Sequence, residues 1–421
     1  MSSTNETVAR SPAPVDPRQR IEVVDMVRGF ALFGVLLVNM FNFGAYSIAW
    51  NEPGDELALL GMQFFFETKS WRLFCFLFGF GFALQLIRAE ERGSKFVPVY
   101  LRRLIILFVI GAGHAMIFQG DILMLYAELG LVLVLFKKVP PKLLLVLSVC
   151  LLAVNPIGRA VTSILEPTQT AQTIDYAVRL EEATAEIEED RRTDVYVVGS
   201  MREVMADNAF IKNPFATLLY AEGSLAMFAM FLLGLYVGRR RIFEDIPKHM
   251  QLIRRVFWWG LTIGLISVGA ERILSATTDY EVFRGQQGTL ALQFLGRVLS
   301  VYGNTLLAFG YAAGIILLAQ HPRGRRLLAP LGAVGRLGLT VYLSGSLMFG
   351  VLFYGFAFGN VYWLGPAAVT AYAVLFFAIQ IAFSVWWAKR FRFGPMEWLW
   401  RALTYLKFPP MRLQEQSHGK G

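Results

Sequence analysis

Long apolar stretches separated by short polar ones dominate the chain from residue 28 onward. A stretch of about 18 or more apolar residues can cross the hydrocarbon core of a bilayer as a helix. The pattern therefore predicts an all-α integral membrane protein with about ten transmembrane helices. These helices are expected at residues 28–50, 57–87, 104–118, 122–136, 143–157, 215–237, 256–270, 290–319, 331–356 and 367–387. The second, eighth and ninth exceed the length that a bilayer needs, so we expect them to be broken, tilted or extended.

Lys and Arg residues concentrate in alternate loops of this pattern. If the N-terminus faces the cytoplasm, 29 of the 40 basic residues fall on the cytoplasmic side, as the positive-inside rule requires. With an even number of spans, the C-terminus is then cytoplasmic as well. The predicted order is a disordered cytoplasmic tail, spans one to five, an acidic extracytoplasmic segment, spans six to ten, and a second cytoplasmic tail. Their bounds are 1–20, 21–157, 158–213, 214–407 and 408–421.

Composition agrees with a membrane protein and narrows its partners. Apolar residues make up 55% of the chain and charged residues 17%, below the roughly 25% of a soluble domain. The net charge of +9 follows from basic loops facing an anionic leaflet, so membrane lipid is an expected partner and nucleic acid is not. The same loops would attract an anionic cytosolic substrate such as a CoA thioester. Cys75 and Cys150 lie in apolar stretches, so neither a disulfide framework nor a metal site is expected.

Two segments flank the predicted bundle. Residues 181–190 are acidic, with apolar residues at intervals that predict an amphipathic helix. This helix is either a solvated surface helix or a lid over the mouth of the bundle. Residues 393–401 follow the last span and contain two Trp residues. They form either an anchor in the headgroup region or a cap on a cytoplasmic entrance.

Charged and strongly polar residues within spans mark candidate sites, because their burial in lipid is costly. Arg28 begins the first span three residues after Asp25, so the two can pair on one helical face. Arg28 is either an interfacial residue or a fixed cation for a phosphate. Asn39 lies about 16 Å further along the same helix, where it either packs between helices or belongs to a site. Charges of both signs around Lys69 indicate a broken helix lining a polar cavity, or a turn between two short helices.

One of the four His residues, His114, lies inside an apolar stretch. A His side chain titrates near neutral pH, so it suits a general base. Gly111 and Gly113 would leave room beside its ring for a close helix or a ligand. Asp121 follows in a tight turn, where its carboxylate can orient the imidazole and stabilise its protonated form. The alternative is a packed His that holds helices together by hydrogen bonds.

Four stretches resemble the YeiB-like bacterial membrane proteins, and the resemblance runs from about residue 21 to residue 407. Together they are specific, although no single stretch would suffice. They are Asp25 to Asn39; Lys69 to Gly79; Arg102-Arg103 followed by His114 and Gly120-Asp121-Ile122-Leu123; and Gly335-Arg336-Leu-Gly-Leu-Thr340-Val-Tyr342 followed by 392–401.

That family is distantly similar to two groups of membrane acyltransferases: the bacterial O-acyltransferases of surface polysaccharides and the lysosomal heparan-alpha-glucosaminide N-acetyltransferase. The shared feature is Asp-x-x-Arg-Gly before an apolar helix, here residues 25–29. In the O-acyltransferases a catalytic His follows the Arg after ten residues. Here that position holds Asn39, whereas Arg103 and His114 have the same gap.

The resemblance implies about ten spans in the bacterial inner membrane and an acyl-CoA donor from the cytosol. It also implies an acceptor reached from the outer side, such as a cell-envelope glycan or lipid. Residues and resemblance together predict acyl transfer, in which His114 is the general base, Asp121 orients it, and Asn39 or Lys69 donates to the oxyanion. The donor phosphates would be bound by Arg28, Arg102, Arg103 and Arg336.

Two other functions remain open from the sequence. A transporter or permease of a small solute would use a polar cavity lined by Glu67, Lys69, Arg72, Asp121 and Arg297. A structural or regulatory membrane protein would use its buried charges only to hold helices together.

Overall fold

The computed structural model describes residues 21–44, 53–165, 193–211, 222–277, 287–359 and 364–413. Within these ranges the regular structure is helical, apart from one isolated β-bridge between Phe391 and Arg412. The α-helices, numbered α1 to α14 in chain order, are Glu22–Gly44, Asp55–Phe65, Lys69–Glu91, Phe96–Ala115, Leu123–Leu133, Pro141–Leu165, Met201–Ile211, Glu222–Arg239, Ile246–Thr277, Gln287–Ala319, Pro322–Arg336, Gly338–Phe353, Pro366–Ala388 and Pro395–Tyr405. A 3₁₀-helix, Val134–Lys138, extends α5, and a π-helical turn, Thr193–Val198, precedes α7.

In the described part of the chain, seven helical segments are long and apolar enough to cross a membrane, or eight if the bent pair α11 and α12 forms one span. The prediction of a multi-pass helical membrane protein is therefore confirmed at this level. Two of the ten predicted spans are not among these: α5 has 11 residues, against the 20 or so of a perpendicular span, and the sixth, predicted at 215–237, is described only from residue 222 onward, as α8. The count of ten and the cytoplasmic position of both termini stay predictions.

Breaks occur in two of the three long stretches. The second span is interrupted between α2 and α3, where Thr68 adopts a left-handed conformation with φ of 63°. The ninth bends by 78° at Leu337, between α11 and α12. The eighth stretch is one continuous helix of 33 residues, α10, so it is extended rather than broken.

Helix α1 lies at the centre of the bundle. It packs against α3, α10, α11, α12 and α13, and Glu22 and Asp25 in its first turn complement the helix dipole. Its closest neighbour is α11, where a side chain at Gly29 would collide with the Leu331 carbonyl and one at Gly335 with the Asp25 carbonyl. The α11–α12 bend is thereby placed directly beside the start of α1.

Contacts between the helices define two ends of the bundle. At the basic end, Arg325 pairs with Glu22, and the Trp400 indole donates to the Arg103 carbonyl at 2.9 Å. The same end holds Arg241, which pairs with a carboxylate at the end of α3. This end carries the loops that the sequence predicts to be cytoplasmic.

At the opposite end, the amide of Ala367 donates to Asp55 at 2.8 Å. Residues 193–211 dock there as well: the Tyr196 carbonyl accepts the Gly355 amide at 2.8 Å, and the Asn208 amide donates to the Met116 carbonyl at 2.9 Å. The predicted acidic helix at 181–190 and the two tails, 1–20 and 414–421, lie outside the described residues.

Candidate functional site

A large cavity of about 1220 Å³ enters the bundle from the basic end. Its rim includes Glu22 and Arg325, whose side chains are 59% and 61% exposed. Its wall contains eight Arg and three carboxylate side chains, an excess of five positive charges. The arginines are Arg28, Arg88, Arg103, Arg325, Arg326, Arg336, Arg392 and Arg401. This charge and the planar donors of guanidinium groups suit a ligand with several phosphates.

Neighbouring groups orient two of these arginines. Arg28 donates to Asp25 at 2.6 Å and to the Gly335 carbonyl at 3.0 Å, which ties the first turns of α1 to the bend after α11. The Arg103 guanidinium stacks 3.8 Å from the Trp400 ring centroid. The predicted Asp25–Arg28 pair is therefore present, and it faces the cavity rather than lipid.

Glu397 is a site residue that the sequence analysis missed. Its carboxylate accepts hydrogen bonds from the Leu339 and Thr340 amides at 2.6 and 3.1 Å and from the Thr340 hydroxyl at 2.6 Å. It thus caps the start of α12, inside the bundle, and lines the cavity. Of the two interpretations of residues 393–401, the cap on the entrance fits better, because Phe393, Glu397, Trp400 and Arg401 form part of the cavity wall.

The cavity becomes apolar with depth. Along α3 its lining runs from Arg88 to Phe74, fourteen residues apart, or about 21 Å of helix rise. That distance is about two-thirds of a hydrocarbon core of roughly 30 Å. The deep wall consists of apolar and aromatic side chains: Phe74, Leu77, Phe78, Leu107, Leu123, Tyr126 and Tyr342.

His114 and Asp121 form a buried pair close to this deep wall. The His114 Nδ1 and Asp121 Oδ1 atoms are 2.7 Å apart, and the residues are 6% and 4% exposed. The other carboxylate oxygen accepts the Met124 amide at 3.1 Å, which holds Asp121 at the start of α5. The Nε2 atom of His114 is buried and has no hydrogen-bond partner within the part of the chain that the structure describes.

Tyr342 separates the pair from the large cavity. Its ring centroid is 5.2 Å from that of His114, and its side chain lines the cavity, whereas His114 and Asp121 are not among the lining residues. The Tyr342 hydroxyl is held near the Ile122 amide and the Gly120 carbonyl, at 3.4 and 3.5 Å. The Tyr342 side chain therefore lies both on the cavity wall and beside the imidazole.

The structure places three other predicted site residues away from the large cavity. Asn39 lines a separate small cavity of about 20 Å³, which Tyr342 also lines. Lys69 lies towards the opposite end, where its Nζ atom donates to the Gln63 carbonyl at 3.0 Å. Arg102 is on the outer face of α4 and donates to the Thr404 carbonyl at 3.1 Å. Unlike Arg103, Arg102 does not line the cavity, because adjacent helical residues point in different directions.

No cluster of three or more His, Cys, Asp or Glu side chains suited to a metal occurs in the described ranges. Cys75 is buried, with its sulfur 3.0 Å from the Tyr126 hydroxyl, and Cys150 is exposed. Tyr126 thus links this thiol to the deep wall of the cavity.

Residues 237–407 match the sequence model of a family described as "Protein of unknown function (DUF418)". The chain is 33% identical to the uncharacterized protein YxaH of Bacillus subtilis, over 94% of the chain and 97% of that protein. It is 27% identical to an uncharacterized 39.9 kDa protein of Bacillus acidopullulyticus, over 96% and 99%, and 26% identical to the uncharacterized protein YeiB of Escherichia coli, over 92% and 96%. No solved structure matches the chain.

Proposed function

The chain belongs to the YeiB-like family, and from this premise we propose that it is an inner-membrane acyltransferase. It would move an acyl group from a cytosolic acyl-CoA to a hydroxyl or amine at the outer side. The observation that carries the proposal is the arginine-lined cavity, whose deep end reaches the side chain that covers His114. The acceptor would be a component of the cell envelope, such as a glycan or a lipid.

The basic part of the cavity suits the nucleotide end of acyl-CoA. Its excess of five positive charges complements the phosphates of CoA, and Arg forms bidentate, charge-assisted hydrogen bonds to phosphate oxygens. Arg28, Arg103 and Arg336 lie inside the rim on three different helices, so they can contact several phosphates at once. Positive charge at this end also agrees with a cytoplasmic orientation.

The apolar part of the cavity suits the rest of the donor. An uncharged arm about 20 Å long fits between the Arg88 level and the Phe74 level of α3. The aromatic and aliphatic side chains of the deep wall would exclude water from the thioester. This exclusion favours transfer to the acceptor over hydrolysis.

The chemistry would take place where Tyr342 now lies. Once this side chain moves, the His114 Nε2 atom faces the thioester and accepts the proton of the acceptor hydroxyl or amine. The acceptor oxygen or nitrogen bonds to the carbonyl carbon, the carbon–sulfur bond breaks, and the CoA thiolate leaves with the proton from His114. Asp121, bonded to Nδ1, would keep the imidazole in the tautomer that leaves Nε2 free.

Transport is the second candidate, and the bent pair α11 and α12 favours it. A helix broken by 78° inside a bundle resembles the discontinuous helices that form substrate sites in transporters. Residues 193–211 dock at the opposite end of the bundle, and Tyr342 lines the deep end of the cavity. This arrangement would also serve a permease in its inward-open state.

Purified protein in nanodiscs distinguishes the two functions. The acyltransferase proposal predicts saturable binding of acetyl-CoA and slow release of free CoA thiol, and His114→Gln should slow this release about 100- to 10,000-fold, the usual contribution of a general base. Binding should survive, because His114 does not line the donor cavity. His249→Gln, in the first turn of α9 at the basic end, is the matched control. Release at the parent rate from His114→Gln would disprove the role of His114, and solute counterflow without CoA binding would establish the transporter.

A further inference from the structure

A cluster of cations lies at the break between α2 and α3, apart from the arginine-lined cavity. Lys69 and Arg72, at the start of α3, are 2% and 5% exposed. Both lie within the membrane-spanning segment Asp55–Glu91. Charged side chains at such depth either pair with opposite charges or belong to a ligand site.

Arg72 has no carboxylate partner in the part of the chain that the structure describes. Its guanidinium folds back along the helix, donates to the Thr68 carbonyl at 3.1 Å and lies 4.6 Å from the Trp71 ring centroid. The Nε atom is buried without a hydrogen-bond partner. A buried guanidinium with an unused donor is costly, because desolvation is compensated only when the charge is neutralised and its hydrogen bonds are made.

The backbone at the break has two further unusual features. Thr68 is one of three described non-glycine residues with a positive φ, a conformation that stores strain and is concentrated at functional sites. It occupies the N-cap position of α3, yet its hydroxyl makes no cap bond and is buried without a partner. The positive end of the helix dipole therefore points at the unused donors of Thr68 and Arg72.

Nearby acids do not neutralise this cluster. Glu67 pairs at 3.2 Å with Arg272, which also contacts Glu271 at 3.7 Å. Lys69 donates only to a backbone carbonyl, that of Gln63. Among the described residues, three cations thus face two carboxylates. The Glu67 and Arg272 side chains are 34% and 38% exposed, so the cluster is connected to the surface at the opposite end of the bundle.

The geometry points to a binding site for one anionic group, a phosphate or a carboxylate, at the α2–α3 break, with Arg72, Lys69 and the Thr68 hydroxyl as its ligands. The anion would neutralise the excess charge and accept from the unused Nε and hydroxyl donors, and the N-terminus of α3 would stabilise it further. The inference does not depend on acyl transfer. The same site would bind an anionic acceptor in an acyltransferase or a transported anion in a permease.

Hydrogen exchange with mass spectrometry tests the site locally, using the full chain in phosphatidylcholine nanodiscs and inorganic phosphate as the probe. The peptide covering residues 66–76 should exchange about tenfold more slowly when phosphate is present at about ten times its dissociation constant, because the ligand must leave before the segment opens. Arg72→Gln should lose this protection and Arg72→Lys should retain part of it. Arg336→Gln, which alters only the large cavity, should retain all of it.

Other outcomes decide the proposal and the source of the anion. Protection in phosphatidylglycerol nanodiscs without added phosphate would identify the bound anion as a lipid headgroup. Protection that requires added phosphate would identify it as a soluble anion. If Arg72→Gln does not fold, Thr68→Gly removes the hydroxyl while favouring the left-handed backbone, and it should weaken the protection. The proposal would be overturned if neither phosphate nor phosphatidylglycerol slowed exchange in the parent protein. It would also be overturned if Arg72→Gln, or folded Thr68→Gly, were protected as strongly as the parent. The protection of residues 66–76 does not depend on whether His114→Gln loses CoA release. The anion site and the acyltransferase activity can therefore be disproved independently of each other.

Discussion

At the residue scale, the roles of neighbouring side chains depend on helical direction. Arg102 and Arg103 are indistinguishable in a charge count, but on α4 the second turns into the cavity and the first turns outward. Arg103 and His114 are eleven residues apart, close to three helical turns, so they lie on nearly the same face. This spacing places Arg103, rather than Arg102, on the His114 side of α4.

This difference gives a matched pair of variants. Arg103→Gln should weaken acetyl-CoA binding about tenfold or more, because a hydrogen bond to a charged group typically contributes about 1.5–3 kcal/mol. Arg102→Gln should bind as the parent does, since the Arg102 side chain lies outside the cavity. Isothermal titration of both variants with acetyl-CoA measures the difference. Equal weakening in both would mean that the positive charge of α4 acts only at long range.

The His114–Asp121 contact was predictable and the Tyr342 contact was not. Asp121 follows His114 by seven residues across a tight turn, so the chain itself brings them together. Tyr342 reaches His114 from α12, more than two hundred residues later. Only the packing of α12 against the α4–α5 turn decides that an aromatic ring covers the imidazole.

At the element scale, α4 and α5 form a hairpin whose close approach depends on one glycine. A Cβ atom at Gly111 would lie 2.8 Å from the Met124 amide nitrogen, whereas one at Gly113 would meet no atom within 4 Å. Of the two glycines expected to make room beside His114, Gly111 admits a close helix, whereas Gly113 is exposed and lies beside open space.

Gly111→Ala and Gly113→Ala separate packing from helix propensity. Both substitutions stabilise the helix by about 1 kcal/mol through the higher helix propensity of Ala. Only Gly111→Ala also forces α5 away, and such overpacking typically lowers the free energy of unfolding by about 1–3 kcal/mol. Gly111→Ala should therefore unfold at a lower temperature than Gly113→Ala in detergent. It should also lose CoA release, because Met124 holds Asp121 in place. Identical unfolding temperatures and activities would contradict the hairpin packing.

The length of the ninth apolar stretch predicted that it is broken, tilted or extended, but not which of these occurs or where. Residues 331–356 appear as one apolar stretch, yet the helix turns by 78° at Leu337. A bend inside lipid requires polar partners for the freed backbone amides, and Glu397 provides them from α14. The stretches 335–342 and 392–401 are far apart in sequence, so their complementarity emerges only when the two are packed together.

At the scale of the whole molecule, the proposals depend on the orientation of the basic end. Loop charge predicts that this end faces the cytoplasm, where acyl-CoA would be available. The same orientation places residues 193–211 and the α2–α3 break on the outer side. Acyl-CoA would then reach the arginine-lined cavity from the cytoplasm, and the anion would reach the α2–α3 break from the outer side.

Cysteine labelling in intact cells tests this orientation. In a chain whose Cys75 and Cys150 are replaced by Ala, Ser200→Cys should react with a membrane-impermeant maleimide once the reagent reaches the outer face of the inner membrane. Lys248→Cys, in the first turn of α9, should react only after lysis. Both positions are exposed, so accessibility does not bias the comparison. The reverse pattern would place the arginine-lined cavity outside the cell and rule out a cytosolic donor.

The sequence by itself determined the membrane environment, the helical class and the approximate position of each apolar helix. Those properties follow from local hydrophobicity, because lipid requires every backbone amide to be bonded within its own helix. It also determined local pairs such as Asp25–Arg28 and His114–Asp121, whose members are linked by a turn or two of chain.

Tertiary structure alone decided which charges share a site. Eight arginines from α1, α3, α4, α11, α14 and their flanking loops converge on one cavity, while Lys69 and Asn39 lie apart from it. Arg72 has no carboxylate partner among the residues that the structure describes. Charge interactions depend on distances between helices and on burial, and neither is encoded in the spacing of residues along a single helix.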